Sequence, residues 1–424
     1  MKIYCSGIGG IGLSAYASLQ KEAGNEVMGS DRTKSDLTQE LEKQGIQVFY
    51  DQDGENVPKD ADLFVYSEAI PVDAPERKRA QEYGIEQQSY FKALGELSHD
   101  HFCVAICGTH GKSSTVAMAA KMLIDTGKDP TVVVGTTVSD LLGRNWRKGS
   151  GDIFLMEACE YRRSFLHLSP NIIIMTNADG DHLDAFEGVE DYKKAFVEFL
   201  NLLPEDGVVI THASDPDCKK IALQSGKKTI DAYQFALPEL SVPGTHMQQN
   251  AQLVLALADH LGIDAAGAQL ALKEYRGCWR RMELKGSFRD IPVIDDYGHH
   301  PLEITATLEA IKEKFTEKRI VCVYQPHMHD RTFRFYDDFV VSFSDADLVI
   351  VPDIYDARSD VETNLVDVDK FVEDIKKGSD TEAINGRSLE ETERILRDEI
   401  LQSGDLLLVM GAGNVTDLAT KMSL

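Results

Sequence analysis

The 424-residue chain is long enough for about three domains at roughly 150 residues each. Its composition, 43% hydrophobic and 27% charged, suits ordinary globular cores rather than a disordered or fibrous chain. The formal net charge of -26 sets the surface against nucleic acid and anionic membranes, so neither is an expected partner.

Met1–Cys5 runs straight into a glycine loop with no cleavable apolar segment after it, so a secretory signal is not expected. Apolar runs stay well short of the roughly 18 residues that a membrane span needs. The cysteines, at 5, 103, 107, 159, 218, 278 and 322, are odd in number and scattered, with no CxxC pair. A reducing cytoplasm without a zinc site is the expectation.

The first segment opens with a β-like run, Lys2–Ser6. Gly7-Ile8-Gly9-Gly10-Ile11-Gly12 follows, then a helical pattern to about Ala23. A second strand, Glu26–Gly29, leads to Asp31. Strand, GxGxxG, helix and a later acid form the dinucleotide fingerprint, with the acid placed for a ribose hydroxyl. Taken alone it suggests a nicotinamide dinucleotide. The geometry asks only for a diphosphate at a helix N-terminus, which a nucleotide-sugar diphosphate meets as well.

The second segment begins with the apolar run Phe102–Cys107. Gly108-Thr109-His110-Gly111-Lys112-Ser113-Ser114 follows, and then a helix over about Lys112–Asp125. Glycines let backbone N–H groups close on phosphate oxygens. A lysine reaches the outer phosphates, and a hydroxyl can ligate Mg²⁺. The strict GxxxxGK[ST] pattern wants glycine where Ile106 stands, so the loop is a variant. Further strands are expected at Ile153–Met156, Asn171–Thr176 and Gly207–Thr211, with helical patterns between. Glu157 ends the first of these, and the second leads through Asn177 to His182. Ligands of open α/β sheets gather at such carboxyl ends. Glu160, Asp179 and Asp181 read as solvated or capping loop acids.

The third segment carries apolar runs at Pro292–Ile294, Ile320–Tyr324, Asp347–Val351 and Leu406–Met410, again alternating with helices. The expected architecture is therefore α/β, with three consecutive domains at 1–99, 100–286 and 287–424. The first and last would be Rossmann-like around the central P-loop domain. His299, His300, His327 and His329 read as hydrogen-bonding or exposed histidines rather than a metal cluster. Arg162 and Arg163 are open between ion pairing and facing a substrate. Trp279 reads as packing.

In order and spacing the motifs resemble the Mur ligase family of peptidoglycan synthesis, over nearly the whole chain. The resemblance rests on Gly7–Ser14, Tyr90–Gly95, Gly108–Ser113, Glu157–Tyr161, Thr176-Asn177 and Asp181-His182. It continues with Pro243–His246 and Asn250, Arg280–Glu283, Asp295–Pro301, Gln325–His327 with Arg331, and Gly411–Asn414. The string Asp295-Asp296-Tyr297-Gly298-His299-His300-Pro301 points to the alanine-adding branch and its tripeptide-recycling relatives.

The resemblance implies an ATP- and Mg²⁺-dependent ligase that joins L-alanine to the carboxylate of UDP-N-acetylmuramate through an acyl phosphate. It implies a cytoplasmic monomer or weak homodimer. Gly7, Gly9, Gly10, Gly12, Ser14, Asp31 and Ser67 would hold the UDP-sugar. Gly108 to Ser114 would hold ATP, with Asn250 at adenine, Arg281 reaching the phosphates and Asp296 at the ribose. Thr109, Ser113, Glu157 and His182 would serve the metal. His299, His327, Arg331 and Arg358 would shape the amino-acid pocket, and Lys112, Glu157, His182, His299 and Arg331 would carry catalysis. The chain departs from the family pattern at Met247, where asparagine is usual, at Glu68 and at Asp330, and its 212–243 stretch is short. Against this stand three other readings: a recycling ligase that attaches a whole tripeptide to the same sugar nucleotide, a nicotinamide oxidoreductase built on the first glycine loop, and a nucleotide sensor that keeps the fold without turnover.

Overall fold

A computed structural model describes residues 1–179, 185–356 and 366–423. These residues group into two compact units. One joins Met1–Glu239 with Gln249–Tyr275, and the other joins Leu240–Gln248 with Arg276–Leu424.

The first unit holds two sheets. In one, β1 (Lys2–Ser6), β2 (Glu26–Ser30), β3 (Gln47–Phe49), β4 (Leu63–Tyr66) and β5 (Glu86–Ser89) lie in the order β3-β2-β1-β4-β5. All its pairings are parallel. Order reverses between β1 and β4, so the crevice of this doubly wound sheet opens where the glycine loop leaves β1. Strands buried on both faces read as continuous apolar runs, as Ile3-Tyr4-Cys5 and Leu63-Phe64-Val65 do.

The second sheet takes β6 (Phe102–Cys107), β7 (Thr131–Val138), β8 (Arg144–Arg147), β9 (Ile153–Glu157), β10 (Ile172–Met175), β11 (Val208–Thr211) and β12 (Lys228–Asp231). Their order is β12-β11-β10-β6-β9-β7-β8. The strand that feeds the phosphate loop, β6, thus lies between β9, which ends in Glu157, and β10, which leads to Thr176-Asn177. The helix Lys112–Asp125 agrees with the sequence expectation in both bounds. Its side chains from Ser113 to Leu123 are buried on all faces, because it is sandwiched between the sheet and the helix Ala265–Lys273. The helix Ile11–Glu22 links the two layers: it packs on β7 and β8 of the second sheet, and the Asn145 side-chain amide donates to the Ile11 carbonyl in its first turn at 2.5 Å.

The second unit has one sheet built from β13 (Glu283–Phe288), β14 (Ile291–Asp296), β15 (Arg319–Tyr324), β16 (Leu348–Pro352), β17 (Glu382–Arg387) and β18 (Asp405–Met410). The order is β13-β14-β18-β15-β16-β17, with only the β13–β14 hairpin antiparallel. The expected limit at 286 falls inside β13, which pairs with β14 on both sides of a bulge at Lys285 and so belongs with the C-terminal sheet. Among the described residues no helix is long and apolar enough to cross a membrane. All seven cysteines are free thiols.

Candidate active site

The N-terminal glycine loop is closed by its own neighbours. Gly7 and Ile8 donate their N–H groups to the Ser30 carbonyl at 2.8 and 2.9 Å. Asp31, expected at a ribose, accepts from the Gly9 N–H at 2.9 Å and the Thr33 N–H at 3.2 Å, so its carboxylate braces the loop. Gly12 lies against the Tyr90 ring, where a Cβ would come within 2.7 Å of ring carbon. Ser14 is buried and donates to the Ile11 carbonyl, and Ser67 packs beside Gly7 and donates its N–H to the Ser6 carbonyl. Gly10 caps the helix Ile11–Glu22.

At the phosphate loop both glycines have the backbone only glycine adopts cheaply: φ is +135° at Gly108 and +81° at Gly111. A Cβ on Gly108 would sit 2.0 Å from Thr176 Oγ1, and one on Gly111 would sit 2.7 Å from Asn250 Oδ1. Thr176 and Asn177 latch the loop from the end of β10. The Thr176 hydroxyl donates to the His110 carbonyl at 2.6 Å, the Asn177 amide donates to it at 3.1 Å, and the His110 N–H donates back to Asn177 Oδ1 at 2.8 Å. The loop is therefore pre-shaped, with Lys112 and Ser113 on the first turn of the following helix, whose N-terminus carries partial positive charge.

Lys112 Nζ donates to the Gly108 carbonyl at 2.5 Å, the Thr109 carbonyl at 3.1 Å and Glu160 Oε1 at 3.0 Å. Burial works against its charge, but Glu160 and then Glu157 outweigh that and hold its pKa above the ordinary lysine value. Glu160 corrects the sequence reading: its side chain is 0% exposed, a buried counter-charge for Lys112 and not a solvated acid. The signal was available, since a lysine enclosed by its own loop needs a carboxylate, and Glu160 stands just beyond β9. Ser113 Oγ donates to Glu157 Oε2 at 2.8 Å, and the Gly135 N–H donates to the same oxygen at 2.9 Å. Gly135 was not singled out from the sequence, although a Cβ there would meet Glu157 at 2.9 Å. The Thr109 hydroxyl, expected at the metal, is taken by the Tyr192 hydroxyl at 2.8 Å and the Asp179 N–H at 3.0 Å. Ser114 is buried on the first helical turn. His182 lies outside the described residues, as do Asp181 and Arg358. Arg163 pairs with Asp191 and Glu198, which answers the question of its partner; Arg162 is exposed.

In the second unit the expected residues collect at the carboxyl ends of β14, β18 and β15, three adjacent strands. Asp296 is 4% exposed; Oδ2 accepts from the Met282 N–H and Oδ1 from the Gly298 N–H, each at 2.8 Å. Burial pushes its pKa up to about 6. Arg281 lies 3.6 Å from Glu303 and over the Tyr297 ring at 5.1 Å. His299 Nδ1 is 3.3 Å from Glu303, and its ring stands 6.3 Å from that of His327, which stacks on Tyr355. His300 and Glu303 form a capping box on the helix Pro301–Lys314. His246 is pushed down to about 4 by burial and then by the nearby Arg281 charge.

Arg331 lies on the short helix His329–Arg334, entered through Met328 at φ +69°. Asp330 turns to Arg334 at 2.9 Å, so its carboxylate is spent within the helix. Arg280 was read only as part of a motif. It is 3% exposed and donates to the carbonyls of Gly411 and Gly413, tying the glycine turn after β18 to the strand entry. Gln325 closes the same turn by accepting the Val415 N–H at 3.1 Å. Trp279 is 39% exposed rather than packed inside.

Three family descriptions match in sequence order. "Mur ligase family, catalytic domain" covers residues 2–102, "Mur ligase middle domain" 106–253, and "Mur ligase, glutamate ligase domain" 280–413. The UDP-N-acetylmuramate–L-alanine ligase of Clostridium novyi is 36% identical, across 98% of this chain and 95% of that protein. The enzyme of the same name from Persephonella marina is 36% identical, across 99% and 96%. Among solved structures, UDP-N-acetylmuramate-alanine ligase MurC from Thermotoga maritima is 31% identical with a TM-score of 0.81, covering 100% of this chain and 98% of that one. A murein peptide ligase from Psychrobacter arcticus shares the fold at 21% identity and a TM-score of 0.72, covering 100% and 98%. With its pre-shaped phosphate loop, its lysine on a buried glutamate and its full-length relatives, the chain belongs to the Mur ligase family.

Proposed function

We infer that the protein joins L-alanine to UDP-N-acetylmuramate at the expense of ATP, as a step of peptidoglycan synthesis in the cytoplasm. The observation that carries the reaction type is Lys112, held between two loop carbonyls and Glu160 at the entrance of a buried helix. The substrate pair rests on relatives that match end to end and carry that activity in their names.

The chemistry follows from what a carboxylate lacks, namely a leaving group. A muramyl carboxylate oxygen attacks the γ-phosphorus of ATP, the bond to the β,γ-bridging oxygen breaks, and ADP leaves. The acyl carbon of the mixed anhydride then accepts the neutral amine of alanine. The tetrahedral intermediate collapses, the C–O bond breaks, the amine loses its proton, and phosphate departs. Lys112 and the loop N–H groups face the negative charge that spreads over the transferring phosphoryl group. Glu160 keeps Lys112 charged and aimed.

Ser113 and Glu157 are hard oxygen donors 2.8 Å apart beside the loop, the donor chemistry that suits Mg²⁺. With Thr109 engaged elsewhere, these two would hold the ion, together with the expected His182. When bound, Mg²⁺ would neutralise phosphate charge. Gly7 to Gly12 would receive the UDP diphosphate at the helix Ile11–Glu22. Arg281 would reach the ATP phosphates, and His299, His327 and Arg331 would serve the alanine side of the reaction.

The test is isotopic. With ¹⁸O in the muramyl carboxylate, the released phosphate must carry one labelled oxygen, because that oxygen bridges carbon and phosphorus in the intermediate. Unlabelled phosphate in the presence of product would overturn the acyl-phosphate route.

A further inference from the structure

A nearly solvent-free carboxylate lies under the N-terminal glycine loop, and none of the roles above uses it. Glu76 is 1% exposed and stands in the first turn of the helix Pro75–Glu82, behind Pro75. An acid there is favoured by the helix dipole. Its carboxylate accepts three hydroxyls: Tyr4 at 2.7 Å, Ser6 at 2.5 Å and Ser30 at 2.8 Å. Gln52 adds a fourth link by donating to Ser30 Oγ at 3.1 Å. Glu76 and Gln52 also line a cavity of about 360 Å³, together with Arg32 and Asp53.

The hydroxyls it gathers are placed to matter. Ser6 and Ser30 are the last residues of β1 and β2 and stand directly opposite in register. Beyond them the ladder stops and the chain turns into the loop. The Ser30 carbonyl receives the Gly7 and Ile8 N–H groups, and the Ser6 carbonyl receives that of Ser67. Glu76 thus grips by their side chains the two residues whose backbones hold the loop. Glu76 is the shared acceptor, and without it three buried hydroxyls would lose a partner. What a fully bonded buried network adds is one fixed arrangement of its members.

We propose that Glu76 is a positioning residue for the sugar-nucleotide site. It fixes the ends of β1 and β2 so that the glycine loop offers its helix N-terminus to a diphosphate in one geometry. This rests on the reading that the loop binds the UDP-sugar.

The experiment titrates UDP-N-acetylmuramate calorimetrically without ATP, and measures KM for each substrate and the thermal midpoint, on wild type, Glu76→Gln and Glu76→Leu. Both variants should fold, bind the sugar nucleotide about tenfold more weakly, and keep KM for ATP within about twofold. Folded variants with unchanged sugar-nucleotide binding overturn the proposal. So does an equal loss of affinity for ATP and sugar nucleotide, which marks a merely structural role. Should both variants fail to fold, Tyr4→Phe and Ser30→Ala each remove one donor. A selective rise in KM for the sugar nucleotide then supports the proposal, and no change overturns it. A wild type that does not bind UDP-N-acetylmuramate overturns the functional reading, and this inference with it. A wild type that binds while Glu76→Gln binds equally well overturns this inference alone.

Discussion

Replacing Lys112 by methionine keeps the aliphatic stem and deletes the charge. Two effects separate in this variant because the lysine has two kinds of partner. Toward the protein, it leaves the Glu160 carboxylate, 0% exposed, without the ammonium 3.0 Å away. Breaking a buried pair from one side costs about 3 kcal/mol or more. Toward the reaction, it removes a cation from the transferring phosphoryl group, worth about 3–4 kcal/mol, or roughly a thousandfold in rate. Adding Glu160→Gln removes the stranded charge. Urea denaturation should then recover at least about 1 kcal/mol of stability in the double variant, since the cost is desolvated charge rather than lost packing. Phosphate release should not recover at all. A Lys112→Met enzyme within tenfold of wild type in kcat/KM would refute the catalytic half of the reasoning. A double variant no more stable than Lys112→Met would refute the electrostatic half.

The remaining predictions concern the loop, the metal donors and pH. Gly108→Ala forces a Cβ to 2.0 Å from Thr176 Oγ1 at φ +135°; ATP should no longer raise the thermal midpoint, whereas Gly127→Ala, with open space around it, should leave that response intact. Ser113→Ala and Glu157→Gln should each raise the Mg²⁺ concentration for half-maximal rate about tenfold, with the double variant little worse than the poorer single, because both act on one ion; additive losses would place them at separate tasks.

Two buried groups of the second unit pull stability in opposite directions with pH. Asp296, raised to about 6, adds stability below the unfolded carboxyl range that is lost as pH rises through about 6. His246, depressed to about 4, adds stability above the unfolded imidazole value that is lost as pH falls through about 4. Each is worth on the order of 3 kcal/mol. Between pH 6.5 and 4, His246→Asn should therefore gain on wild type, and Asp296→Asn should lose ground, in urea denaturation followed at each pH. Parallel curves would show that neither group titrates in this window.

Much of this architecture was legible in the sequence, and the gaps have a physical pattern. Strands inside a parallel sheet are apolar on both faces, so β6, β9, β10, β11, β15 and β18 stood out as runs. The strands passed over are mostly at or near edges. Lys228–Asp231 has a single apolar residue, Glu283–Phe288 is broken by Lys285-Gly286-Ser287, neither strand has a fully buried residue, and β17 contains Asn385-Gly386. The β7–β8 pair has the register shift of a bulge, which breaks its periodicity.

At the site, the residues that the structure brings together at the phosphate loop through local geometry, Gly108, Gly111, Lys112, Ser113 and Glu157, were already singled out by motif. Those that act on other protein groups were missed, since their partners are far away in sequence. Glu160 answers Lys112 across 48 positions, Tyr192 answers Thr109 across 83, and Arg280 reaches Gly413 across 133. Asp31 and Asp296 show the reverse. Motif spacing pointed Asp31 to a ribose and the family resemblance pointed Asp296 to one; the structure shows Asp31 accepting the Gly9 N–H of its glycine loop, and Asp296 accepting the N–H groups of Gly298 and Met282.

The most direct measurement of the central claim is phosphate release from ATP and Mg²⁺ with UDP-N-acetylmuramate and a panel of acceptors, with product identified by mass. The account predicts release that needs the sugar nucleotide, with L-alanine the best acceptor and UDP-N-acetylmuramoyl-L-alanine formed one for one with phosphate. Release only with the L-alanyl-γ-D-glutamyl tripeptide, or none with any acceptor while NAD(P)H binds saturably, would contradict it.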